Sequence, residues 1–144
     1  MKYKPWKKII TLSFLVIILV SCNNRIAIKY DDKNHQLTSL EKNFEKKTSP
    51  FLNITFEDYF KSDYIKIYVD KKLVYDKKIS TSDILGVADS YELEKDFKEV
   101  IIYINNQKII LTKEKTLDYK NIYVNKLPNN KIEILISKKF LIYK

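Results

Sequence analysis

From Phe51 onward, hydrophobic and polar residues alternate with a period of two, interrupted every few residues by turn formers. This is the pattern of short strands lying half-buried against a core. Phe51–Phe56 is the first predicted strand. In Tyr64–Val69, Ile65, Ile67 and Val69 share one face and Tyr64, Lys66 and Tyr68 the other. Asp70-Lys71-Lys72 turns the chain into Leu73–Tyr75, which predicts a hairpin. Ser80–Asp83 reads as a polar loop, and Gly86, the only glycine, opens Val87–Leu93. Glu99–Ile104 and Gln107–Thr112 flank Asn105-Asn106, a pair that tolerates left-handed geometry and so fits a two-residue turn. Tyr119–Asn125 and Lys131–Ser137 follow, with Ile132, Ile134 and Ile136 on one face, and Phe140–Tyr143 is a candidate edge strand. The prediction is an all-β domain, an antiparallel β-sandwich of about eight or nine short strands over residues 51–144. No stretch has the length and helical periodicity of a crossover helix.

Upstream the pattern is different. Residues 22–50 are polar and read as a tether, with Pro50 at its end. Within it Leu37, Leu40 and Phe44 are spaced for a short helix that Thr38 and Glu41 could cap. The first residues, MKYKPWKK, carry four lysines and no acid, and Ile9–Val20 then runs without a charge. A basic start and an apolar run of about 7–15 residues make a secretory signal. The run is short of the ~20 residues that span a bilayer as a helix.

Leu19-Val20-Ser21-Cys22 closes this run. It resembles the lipobox of bacterial lipoproteins: an aliphatic residue, a tolerant position, a small residue and a cysteine. The resemblance covers residues 1–22. It implies cleavage between Ser21 and Cys22 and a diacylglycerol thioether on Cys22, so that residues 1–21 are a signal peptide. Asn23 follows where an aspartate would favour inner-membrane retention in such lipoproteins. This implies the outer membrane in a two-membrane cell. The single cysteine can form no intramolecular disulfide, and acylation gives it a role in an oxidising envelope.

Removal of the signal changes the charge balance. The chain has 27 basic and 18 acidic residues, and four of the lysines leave with the signal, which lowers the net charge from +9 to +5. Arg25 is the only arginine, whereas base and phosphate recognition draws on arginine's bidentate fork. Lysines alternating along strands are more simply a solvated face that also guards sheet edges. No nucleic-acid partner is expected. The scarcity of alanine, present only at Ala27 and Ala88, argues against a helical bundle.

Residues that could carry chemistry are few. His35, the only histidine, follows Asp31 and Asp32 on the tether. A metal site there would not be preorganised, and a Ser-His-Asp arrangement would need a histidine outside the predicted domain. Asp89, Glu92, Glu94 and Asp96 lie close in sequence, with Glu92 and Glu94 on one strand face, but Lys95 and Lys98 flank them as in ordinary surface charge. A single glycine excludes a glycine-rich phosphate loop. No catalytic residue, metal or cofactor is expected, and the chain is not read as an enzyme.

Tyrosine is the distinctive surface residue: Tyr64, Tyr68, Tyr75, Tyr91, Tyr103, Tyr119 and Tyr123 all fall on predicted strands. Tyr64, Lys66 and Tyr68 would offer rings and a cation for contact if their face is exposed. If it is not, the rings pack in the core or pair across strands. The only tryptophan, Trp6, belongs to the signal, which weakens a glycan platform. The architecture resembles the transthyretin-like and immunoglobulin-like sandwiches of secreted bacterial lipoproteins, a likeness that carries no function. The expectation is a lipid-anchored envelope protein that binds another envelope protein. An immunity- or inhibitor-type lipoprotein and a glycan-binding lipoprotein are the alternatives, and an enzyme of envelope polymers ranks last.

Overall fold

The computed structural model of the protein describes residues 25–31 and 50–138. The signal, Ser21, Cys22, His35, the helix expected over Leu37–Phe44 and the strand expected at Phe140–Tyr143 lie outside the described residues. The fold is a β-sandwich of nine strands in two sheets. One sheet has the order β1 (Ile26–Asp31), β9 (Ile132–Ser137), β8 (Asn121–Lys126), β2 (Phe51–Phe56), β5 (Asp89–Glu94). The other has the order β4 (Lys72–Ile79), β3 (Asp63–Val69), β6 (Glu99–Ile104), β7 (Gln107–Thr112). One helical turn, α1 (Lys113–Thr116), follows β7. No helix among the described residues is long and apolar enough to cross a membrane.

The core lies between the sheets and is filled by alternate residues. Leu52, Ile54 and Phe56 of β2, Ile65 and Ile67 of β3, Ile122 and Val124 of β8, and Ile132, Ile134 and Ile136 of β9 are all buried. The period-two stripes over Ile65–Val69 and Ile132–Ile136 therefore face inward as their spacing predicts. Burial of these side chains against the opposite sheet supplies most of the drive for folding, at about 1.5–3 kcal/mol for each large aliphatic residue.

Two features differ from the sequence expectation. Residues 26–31, assigned to the tether, form β1 and pair in parallel with β9 from Ile26↔Ile132 to Asp31↔Ser137. Ile26, Ile28 and Tyr30 alternate at strand spacing, and Ile26 packs against the core. The sandwich therefore includes residues 26–31 of the predicted tether. The five-stranded sheet is also mixed: β1 with β9 and β2 with β8 run parallel. No crossover helix is needed, because between these partners the chain passes through other strands, including those of the second sheet.

With one glycine available, the tight turns use other residues. Gly86 has φ +65°, as its turn requires, and Asn105 of the β6–β7 turn has φ +51°. In the β3–β4 turn Asp70 and Lys71 both take positive φ, +46° and +71°. Asp70 offsets this cost by accepting hydrogen bonds from the Lys98 and Glu99 N–H groups, each at 2.9 Å. These bonds hold its carboxyl below the usual carboxylate range, the Glu99 bond contributing most. Lys71 has no such compensation. Lys71→Gly is therefore expected to stabilise the fold by about 1 kcal/mol, read as a higher urea midpoint at unchanged slope.

Candidate functional site

The outward residues of the four-stranded sheet come from all four of its strands. Tyr64, Lys66 and Tyr68 of β3 do share this face. Register brings other elements' residues alongside them. Tyr68 lies opposite Leu73 of β4 on one side and Ile101 of β6 on the other, and Ile101 lies opposite Ile110 of β7. Leu73, Tyr68, Ile101 and Ile110 thus form one apolar row across the whole sheet. Leu73 is 42% exposed and Ile110 46%. The next row, Asp76, Lys66, Tyr103 and Lys108, is polar.

Leu73 reaches this face through an irregularity. The β3–β4 register shifts between Ile67↔Tyr75 and Tyr68↔Leu73, so Val74 is an extra residue on β4. A bulge of this kind re-aims a side chain. Here Tyr75 points into the core and Leu73, two residues earlier, points out. The consecutive apolar residues Leu73-Val74-Tyr75 were the sequence sign of it.

Between β3 and β6 the face is hollowed into a groove of 490 Å³ lined by Tyr64, Lys66, Tyr68, Lys71, Ile101, Tyr103 and Asn105. Its two charged lining residues are both lysines. The Lys66 ammonium lies 5.2 Å from the Tyr64 ring centroid. Tyr68 and Tyr103 meet edge to face, with centroids 5.8 Å apart and planes at 80°. The Tyr64 hydroxyl is hydrogen-bonded with Asp76, which raises its pKa. The rings are thus held in place, but they do not form one flat platform.

One end of the groove is fixed by a buried polar cluster. Asn105 donates from its side chain to Asp63 Oδ1 at 2.6 Å and accepts from the Tyr64 N–H at 2.9 Å. Lys126 Nζ lies 2.7 and 2.9 Å from the two Asp63 oxygens, and the Lys61 N–H donates to Oδ2 at 2.8 Å. Burial alone would push the Asp63 carboxyl up. The bonds from Lys126, Lys61 and Asn105 outweigh it and hold the group below its ordinary value. Because Asp63 belongs to one sheet and Lys126 to the other, the pair also ties the sandwich together.

The acidic residues near β5 divide between the two faces of the strand. Asp89 faces the core edge, where it accepts from the Tyr75 hydroxyl at 2.6 Å and from Lys77 at 3.2 Å. Burial and this bond raise the Tyr75 pKa. Glu92 and Glu94 point to the opposite, exposed face of β5, and the Asp96 carboxylate is fully exposed. Among the described residues no group of three or more His, Cys, Asp or Glu side chains is placed to hold a metal. Of the remaining tyrosines, Tyr75 and Tyr123 are buried, Tyr91 packs edge to face on Tyr75, and Tyr119 pairs with Tyr30.

Comparison of the chain with protein-family models, with curated proteins and with solved structures gives no match. The β-sandwich and the chemistry of its groove are therefore what bear on function.

Proposed function

We propose that the protein is a lipid-anchored module of the bacterial cell envelope that binds another envelope protein through the outer face of β4, β3, β6 and β7. The observation that carries this reading is the apolar row Leu73–Tyr68–Ile101–Ile110 beside a tyrosine-lined groove whose charges are Lys66 and Lys71. Aromatic residues surrounded by a polar rim are the composition of protein interfaces, and contiguous exposed apolar surface marks interaction sites. The ring geometry favours a protein over a glycan. A sugar stacks on an open ring face, whereas Lys66 covers one face of Tyr64 and the Tyr68–Tyr103 pair is edge to face.

Photocrosslinking in intact cells tests this reading, with p-benzoylphenylalanine at Leu73 of the full-length protein. The expected result is one stoichiometric protein adduct, lost when Tyr68→Ala and Lys66→Glu are added. Absence of an adduct, or recovery of sugar polymer alone, would overturn it.

A further inference from the structure

Among the described residues the two most exposed apolar side chains lie at one end of the sandwich, away from the groove face; the next, Leu117 at 55%, lies at the other end. Ile84 is 92% exposed and Leu85 75%, both at the tip of the loop joining β4 to β5. Tyr59, in the loop joining β2 to β3, is 51% exposed. The two loops are bonded to each other: Thr81 N–H donates to Phe60 O at 2.9 Å, and Phe60 N–H to Thr81 Oγ1 at 3.0 Å. The tip itself is a built turn. Gly86 N–H donates to Ser82 O at 2.8 Å, Ser82 N–H to Val87 O at 3.1 Å, and Ser82 Oγ accepts from Leu85 N–H at 3.3 Å.

Strand directions place the start of β1 at this same end. Phe56, at the end of β2, pairs with Asp89 and Val124, and Lys126 at the end of β8 pairs with Ile132, the partner of Ile26. Arg25 is fastened there, its carbonyl accepting from the Ile132 N–H at 2.6 Å. Only Asn23 and Asn24 separate Arg25 from Cys22. Fully extended, the three residues from Cys22 to Arg25 reach at most about 10 Å.

Resting on the reading of Cys22 as the lipid anchor, we infer that this end of the sandwich docks on the lipid surface, with Ile84 and Leu85 entering the headgroup–acyl boundary and Tyr59 lying at the headgroups. A reach this short keeps the end at the bilayer, where exposed aliphatic side chains and an amphipathic ring partition. The domain then stands with its strands directed away from the membrane, and the groove opens sideways, parallel to the bilayer. Its partner is met alongside, at the same membrane.

The test uses the full-length lipoprotein, purified with its lipids and reconstituted in vesicles of phosphatidylethanolamine and phosphatidylglycerol, with an environment-sensitive fluorophore on a cysteine introduced by Ile84→Cys, Tyr59→Cys or Leu73→Cys. The expected result is blue-shifted emission at positions 84 and 59, quenched by nitroxide-bearing lipids, and water-like, unquenched emission at 73. Flotation of the vesicles reports the anchor separately. Protein that floats but shows the same water-like emission at 84 as at 73 overturns the docking and leaves the anchor standing. Protein that does not float overturns both.

Discussion

Asp63→Ala is expected to lower folding stability by about 3–5 kcal/mol. The side chains of Asp63 and Lys126 are only 4% and 13% exposed. Truncating the acid leaves an ammonium group in the interior with its counter-charge gone, and also strips Asn105 and the Lys61 N–H of their acceptor. The loss measures that uncompensated burial rather than the net value of the pair. Asp63→Leu combined with Lys126→Met should therefore recover most of it. Urea denaturation of the single and double variants checks this, and a loss below about 1 kcal/mol for Asp63→Ala would refute the role given to the pair. The same cluster fixes a pH dependence. The folded-state pKa of Asp63 lies below its unfolded value of about 3.9. Its contribution is fully present above that value and is lost as pH falls through the lower, folded one. Stability of the wild type should drop across that acid window more steeply than stability of the Leu/Met double variant.

Cys22→Ala should abolish metabolic labelling with palmitate and release the protein from membranes. The proposed attachment by diacylglycerol has no substitute site, because the chain has no second cysteine to accept the lipid. Stable anchoring takes two acyl chains or an equivalent pair of signals, so the contact made by Ile84, Leu85 and Tyr59 is not expected to hold the protein once the lipid is gone. Continued labelling of the variant would refute the lipid attachment. Release with loss of the Leu73 crosslink would further mean that the partner is met only at the membrane.

The strands were legible because alternation is a local signal. Ile65–Val69, Glu99–Ile104 and Ile132–Ile136 each state their buried face without reference to the rest of the chain. β1 carried the same signal in Ile26, Ile28 and Tyr30, but polar residues on both sides made it read as part of a tether. Strand pairing is not local, and so the parallel ladders were hidden: which strands meet depends on how the chain divides between two sheets. Half of the groove was visible as Tyr64, Lys66 and Tyr68 on one strand face. The other half, Ile101 and Tyr103, required knowing that β6 lies beside β3. The Asp63–Lys126 pair spans 63 positions, and neither residue differs in type from the many surface acids and lysines around it.

The parallel pairing of β1 with β9 also bears on the order of events as the chain is made and folds. Asp31 and Ser137 are 106 positions apart, so β1 finds its partner only after β2 to β8 have been made. Contacts of such separation close a large loop and slow folding. β1 therefore emerges early and pairs late, and until then its edge is open to other extended chains. The five-stranded sheet is thus completed only once β9 has been made.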